Sequence, residues 1–78
     1  MAVTMWEVRA AEGRLTELLE WVLAHAGPAA QIYRSAAGDP RVVVIDPTGQ
    51  AARTLAGLPG ELSARPPHAW DFEAVGNT

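Results

Sequence analysis

Side chains that can bind ligands or transfer protons lie in three segments of strand-like sequence. The candidates are Glu7, Arg9, Tyr33, His68 and Trp70. Glu7 and Arg9 are two residues apart, so they share one face of an extended strand. If that face is buried, an acid and a base on it are either paired or functional. The alternative is a salt bridge at a strand end or at a sheet edge that solvent reaches.

The three ring side chains predict a binding site of another kind. His68, Trp70 and Tyr33 would line a cavity with one titratable imidazole, which suits a flat aromatic ligand. The alternative is a surface His68 beside two prolines, with Trp70 and Tyr33 packed in the core or in an interface, where such residues are enriched.

A cluster of acids around an imidazole is a further hypothesis. Asp71 and Glu73 are two residues apart and share a strand face. Together with Glu7 they would surround His68 if the first and last strands are neighbours. The alternative is a solvated strand edge.

Catalytic and metal-binding signatures are absent from the sequence. The chain has no Cys and only two His, which excludes a disulfide and makes a structural zinc site unexpected. The segment Gly57-Leu58-Pro59-Gly60 has neither the Lys nor the strand-to-helix context of a phosphate loop. No nucleophile elbow is present. We therefore expect no metal and no cofactor, and the sequence favours binding over catalysis.

Composition limits the class of protein further. The 78 residues suffice for one domain, and 49% hydrophobic with 19% charged residues is typical of a globular fold. The net charge of −3, with six Arg and no Lys, does not resemble a nucleic-acid footprint. No apolar run approaches the roughly 20 residues of a membrane span, and the first residues lack signal-peptide features. We expect a cytoplasmic protein, with a composition typical of high-GC bacterial genomes.

Six elements must position the candidate side chains. Strands are predicted at residues 2–10, 30–36, 41–46 and 68–75, a helix at 14–26 and a weak helix at 50–58. The helix at 14–26 is the best marked, because six apolar residues repeat along one stripe: Leu15, Leu18, Leu19, Val22, Leu23 and Ala26. Gly27 and Pro28 end that helix, and Trp21 and His25 lie on the flank of the stripe.

The order of these elements predicts one α+β domain over residues 1–78, with a ferredoxin-like β-α-β-β-α-β arrangement and a four-stranded antiparallel sheet. Right-handed connections would place the first and third strands at the centre and both helices on one face. The run 42–45 is consecutive and β-branched, so the third strand should be apolar on both faces. The face without helices would carry alternate residues of that run, together with Val3 and Met5.

A sheet face of this kind predicts self-association. Contiguous exposed apolar patches usually mark an interface. A core this small usually needs further stabilisation, and no disulfide or metal is expected to supply it. Two copies that pack these faces together would form a two-fold homodimer, with a closed or nearly closed barrel between the subunits.

The chain resembles the dimeric α+β barrel superfamily, which includes the antibiotic-biosynthesis monooxygenases. The resemblance covers residues 1–46 and is carried by four features: the opening strand, Ala11-Glu12-Gly13, the helix at 14–26 and the hairpin ending Val42-Val43-Val44-Ile45-Asp46. It implies the fold, the dimer and a ligand pocket inside the barrel. Enzymatic members carry a Trp near the end of the third strand and a His on the second helix. This chain has Ile45-Asp46-Pro47 and no His at those places.

Two functional hypotheses follow from different classes of protein. The first is a homodimer that binds a small apolar or aromatic molecule between its sheets, with at most a cofactor-free, monooxygenase-like activity. The second is a dimerisation or interaction module with a filled core. A cavity containing Glu7, Arg9 or His68 would favour the first, whereas an inter-sheet space filled by Met5 and Trp70 would favour the second.

Overall fold

The helices and strands occur in the predicted chain order in the computed structural model, which describes residues 2–76. They are β1 (Ala2–Arg9), α1 (Leu15–His25), β2 (Gln31–Arg34), β3 (Arg41–Asp46), α2 (Ala51–Thr54) and β4 (His68–Glu73), with a short 3₁₀ turn at Gly60–Leu62 between α2 and β4. The protein is therefore an α+β fold with two helices and four strands in its described part.

The four strands form one sheet in the order β2-β3-β1-β4, and every neighbouring pair is antiparallel. The first and third strands are central, as the sequence predicts. In the central pair Trp6 lies opposite Val44, and Trp6 also lies opposite Ala69 of β4. This register fixes which side chains share a face, since residues directly opposite one another project to the same side of a sheet.

One face of the sheet packs against both helices and forms the core. Alternate residues of β1, which are Thr4, Trp6 and Val8, point to this side and are buried, as is Ala10 just beyond the strand. They pack with two residues of β3, two of α1 and three of the segment between β3 and β4. These residues are Val42, Val44, Leu18, Val22, Ala51, Leu55 and Leu62. Val3, Met5, Glu7 and Arg9 therefore point away from the helices.

Helix α1 buries a narrower stripe than the periodicity predicts. Leu18 and Val22 are fully buried, but Leu23 is 58% exposed. Successive residues of a helix are about 100° apart, so a helix that centres Leu18 and Val22 on the sheet turns Leu23 to its flank. Trp21 packs against the core from the other flank and stacks on His25, with ring centroids 4.1 Å apart.

Two predicted strands are shorter than the sequence indicates. The strand predicted at 30–36 ends at Arg34, because Ser35 closes the hairpin: its hydroxyl donates to the carbonyl of Asp39 and accepts from the N–H of Arg41. The strand predicted at 68–75 ends at Glu73, whose partner is Ala2 at the start of β1. Beyond that pair β1 offers no further partner within the described residues.

The weak helix predicted at 50–58 is corrected to a single turn, Ala51–Thr54. Leu55 already leaves helical geometry, and Leu58 donates its N–H to the carbonyl of Leu55 in a separate turn. Gly57 and Pro59 follow closely, and neither residue favours continuation of a helix. The chain nevertheless buries Ala51 and Leu55 against the sheet.

The turn after β3 is organised by a buried carboxylate. Asp46 accepts hydrogen bonds from the N–H and the hydroxyl of Thr48, at 2.9 and 2.7 Å, and from the N–H of Gln50 at 3.1 Å. Burial by itself raises the pKa of Asp46, but the hydrogen bonds from the Thr48 hydroxyl and from the backbone of the turn lower it below the ordinary value. The sequence pattern did not single out this residue.

The molecule consists of one helical layer on one sheet. Its extents are 38 × 26 × 19 Å, and the short dimension corresponds to two layers at the usual spacing of about 10 Å. Among residues 2–76 no helix has the length and apolar character needed to cross a bilayer.

Candidate functional site

The face of the sheet that carries no helix is called the open face here. The register assigns it side chains from all four strands. They are Val3, Met5, Glu7, Arg9, Gln31, Tyr33, Arg41, Val43, Ile45, His68, Trp70 and Phe72. All five candidate residues predicted from the sequence lie on this face.

One half of the open face is apolar. Met5 lies between Ile45 of β3 and Trp70 of β4 in one cross-strand row, and Val3 lies opposite Phe72 in a second. Trp70 and Phe72 are 44% and 52% exposed, while the aliphatic residues of the central strands are half-buried. Large apolar side chains on an uncovered sheet form a contiguous patch of the kind that marks a binding surface.

The other half of the open face is called the charged end. Its residues Glu7, Arg9 and Arg41 take part in a small ion-pair network. Arg9 contacts one carboxylate oxygen of Asp39 at 2.9 Å, and Arg41 approaches the other at 3.7 Å. Arg41 also lies 3.5 Å from a carboxylate oxygen of Glu7. Glu7 therefore pairs with Arg41, and Arg9 pairs with Asp39, so Glu7 and Arg9 do not pair with each other. These ion pairs lie at an end of the sheet that solvent reaches.

A niche of about 90 Å³ opens at the charged end. Its ionisable lining comes from β1, β3, β4 and the loop before β4: Glu7, Arg9, Arg41, Arg65 and His68. Val8 and Pro66 complete the wall. Pockets for drug-sized molecules occupy about 300–1,000 Å³, so the niche of a single chain has room for one small polar group.

The structure brings together four of the five predicted residues. Glu7 lies directly opposite His68, and His68 meets the ring of Trp70 edge-on with centroids 5.8 Å apart. Tyr33 is separate, because β3 stands between β2 and β1. Its hydroxyl donates to the side-chain carbonyl of Gln31 at 3.2 Å. Tyr33 therefore does not line the niche.

The predicted cluster of acids around His68 does not form. Strands β1 and β4 are neighbours, as that hypothesis requires, but Asp71 lies opposite Thr4 and Glu73 opposite Ala2. Both acids therefore project to the helix side, while His68 projects to the open face. The alternation of a strand separates Asp71 and Glu73 from the imidazole.

Sequence reasoning missed two of the three arginines at the niche. Arg41 is the first residue of β3 and is in phase with Val43 and Ile45, so the alternation of that strand could have assigned it to the same face. Arg65 lies outside any strand, and only the tertiary structure brings the segment before Pro66 to the end of β1.

The three arginines among its lining residues give the niche one clear capability. Arg binds carboxylate and phosphate oxygens through paired N–H donors. Within the described residues, no group of three or more His, Cys, Asp or Glu could hold a metal ion.

Neither the scan against protein-family models nor the search of curated proteins finds a match for this chain. The apolar half and the charged end of the open face are therefore the features from which its function is inferred.

A larger groove of about 380 Å³ lies outside the open face, along residues 58–67. Among the described residues its lining is mainly small and apolar and includes one ionisable side chain, that of Arg65. The groove offers few polar groups with which to orient a ligand, whereas binding sites combine an apolar wall with several such groups.

Proposed function

We propose that the protein is a homodimer whose two open faces pack against each other and hold a small ligand between the sheets. The observation that carries this proposal is the apolar half of the open face, which spans the sheet and lacks a helical cover. The order β2-β3-β1-β4 with antiparallel neighbours supports a ferredoxin-like arrangement. It thereby supports the resemblance to the dimeric α+β barrel superfamily.

The composition of the open face supports a second copy as the occupant. A two-fold interface uses the same patch on both subunits, so that patch must complement itself. The open face meets this requirement, since its centre is apolar and its charged end carries both signs of charge.

The position of the niche supports ligand binding within the dimer. Glu7, Arg9 and His68 line it beside the aromatic ring of Trp70, which combines polar groups that orient a ligand with an apolar wall. The proposal assigns binding to these residues and no catalytic step.

A second candidate is an interaction module with a filled core. It is favoured by the size of the niche, about 90 Å³, and by the exposure of Trp70, Phe72 and Tyr33 on the open face. If these rings interdigitate with the partner's face, no space for a ligand is left.

Native mass spectrometry at micromolar concentration tests the proposal. The expected species has twice the 8.3 kDa chain mass and carries a small-molecule adduct. A dimer without an adduct would favour the interaction module, and a monomer would overturn both candidates.

Two variants locate the interface. Trp70→Glu places a charge in the apolar half of the open face and should convert the dimer to a folded monomer. Leu23→Glu is the matched control, because Leu23 is 58% exposed on α1, on the opposite side of the molecule. A dimer that survives Trp70→Glu but dissociates in Leu23→Glu would place the interface on the helical side.

A further inference from the structure

We infer that the charged end binds the carboxylate of a small organic acid, whose apolar body lies along Trp70 and Met5. The inference rests on the proposed ligand site between the sheets and names the chemical class of that ligand.

The first observation is a concentration of positive charge in an acidic chain. The net charge is −3 and the chain has six basic side chains, all Arg. Three of the six line one niche: Arg9, Arg41 and Arg65. An even distribution of charge would not place half of the cations around one small space, and such a concentration attracts anions.

The second observation concerns the ion pairs at the niche. They involve two of its three arginines. Arg9 and Arg41 both contact Asp39, and Arg41 alone approaches Glu7. Arg65 lines the same niche but forms no ion pair with any residue between 2 and 76. Three arginines of the niche thus stand against two carboxylates, those of Glu7 and Asp39, and one further carboxylate would balance the charge of the site. Guanidinium and carboxylate groups match in shape through two parallel hydrogen bonds.

The backbone around Arg65 is held in place before any ligand arrives. The N–H of Ala64 donates to the carbonyl of Arg9 at 2.9 Å, and Ser63 pairs with Ala10. Pro66 restricts Arg65 to extended conformations. A backbone that is already ordered loses little conformational entropy when its side chain binds a ligand.

The surroundings of the niche favour an organic acid as its ligand, because an aromatic surface adjoins the polar lining. A space of about 90 Å³ accepts a carboxylate group but is far smaller than the roughly 300 Å³ of the smallest pockets for whole ligands. His68 and Trp70 are two residues apart on β4, a rise of about 7 Å. His68 itself lines the niche, so the ring of an aromatic acid whose carboxylate is held beside His68 would extend towards Trp70 and its cross-strand neighbour Met5.

The test uses phenylacetate, with its uncharged analogue phenylacetamide as the comparison. Amide chemical shifts of the ¹⁵N-labelled protein are followed during titration with each compound and with inorganic phosphate. We expect phenylacetate to shift the amides of Glu7, Arg41 and His68 in a saturable manner. We expect phenylacetamide and phosphate to leave them unchanged.

Two matched variants separate the site from general charge effects. Arg65→Gln should weaken phenylacetate binding at least tenfold. Arg34→Gln makes the same change of charge on β2, but Arg34 lies opposite Val42 and projects to the helix side, so its affinity should stay within twofold of the original. Equal weakening in both variants would overturn the inference. Binding of phenylacetamide as tight as that of phenylacetate would also overturn it, as would saturable binding of phosphate alone.

The same samples distinguish this inference from the dimer proposal. Native mass spectrometry reports the number of chains independently of the titration. A dimer that does not bind phenylacetate would overturn the carboxylate site and leave the dimer intact. A monomer that binds phenylacetate and loses it in Arg65→Gln would support the site and overturn the dimer.

Discussion

The hydroxyl of Thr4 donates a hydrogen bond of 2.9 Å to the carboxylate of Asp71 on the neighbouring strand. Thr4 is almost completely buried, whereas Asp71 is exposed. The bond joins central strand β1 to edge strand β4 on the helix side of the sheet. All six residues of β4 are exposed. Asp71 can form this bond because it lies directly opposite Thr4 and projects to the same side of the sheet.

Removal of the two partners of this bond should have unequal effects on stability. Asp71→Ala leaves the buried Thr4 hydroxyl without its acceptor and should cost about 2 kcal/mol of unfolding free energy. Thr4→Val removes the hydroxyl and lets Asp71 return to water, so it should cost about 1 kcal/mol or less. Urea unfolding at fixed protein concentration measures both. A larger loss for Thr4→Val would show that Thr4 stabilises the sheet by other means.

The buried carboxylate of Asp46 should make folding pH-dependent. Its pKa in the folded chain is lowered below the ordinary value of 3.8, so the ionised form favours folding. This stabilisation is fully present above about pH 5 and is lost as the pH falls below about 4. Asp46→Asn should cost about 1–2 kcal/mol at neutral pH and flatten the loss of stability below pH 4.

Glu12→Gln is the control for this experiment, because Glu12 is exposed and forms no ion pair within the described residues. The acid branch of its stability curve should follow that of the unchanged protein. If Asp46→Asn loses stability on acidification as steeply as the unchanged protein does, other carboxylates are responsible for the effect.

The elements were predictable from sequence because their signals are local. The apolar periodicity around Leu18 and Val22 located α1, and the β-branched run at 42–45 located β3. The single turn at Ala51–Thr54 was overestimated, since Ala51, Leu55 and Leu58 continue a weak apolar spacing after the helix has ended. There packing against the sheet, and not local propensity, determines the structure.

Gly49 should tolerate substitution less well than other glycines with similar backbone angles. Its φ is +73°, and an added Cβ would lie 3.0 Å from the carbonyl oxygen of Ala2. Gly38 has a φ of +78° but open space around it. Gly38→Ala should cost about 1 kcal/mol from backbone strain, and Gly49→Ala about 2 kcal/mol or more, because the contact is added to that strain.

Urea midpoints of the two glycine variants provide the comparison. Gly57→Ala is a further reference, since its φ is not positive and nothing lies within 4 Å of the added atom. Equal losses for Gly49→Ala and Gly38→Ala would indicate that the chain start shifts away from the turn without cost.

The candidate site was less predictable than the elements. Glu7 and Arg9 could be placed together from alternation alone, but the pairing of Glu7 with Arg41 depends on strand register, which a single sequence does not specify here. Arg65 reaches the niche through the bridge between Ala10 and Ser63, a contact between residues distant in sequence. Tyr33 was grouped with His68 by residue type, and the strand order separates them.

Glu7 provides the last test, because it is the acid that lines the niche itself. Glu7→Gln preserves the shape of the side chain and removes the negative charge 3.5 Å from Arg41. The net charge facing an incoming carboxylate becomes more positive, so phenylacetate should bind severalfold more tightly. Stability should change by less than about 1 kcal/mol, since the ion pair is partly exposed to solvent. Glu17→Gln is the matched control, since Glu17 of α1 pairs at 3.2 Å with Arg14, the residue just before that helix, and loss of this pair should leave affinity unchanged. Weaker binding in Glu7→Gln would mean that Glu7 holds the arginines in place for the ligand, and that its charge is part of the site rather than a competitor for it.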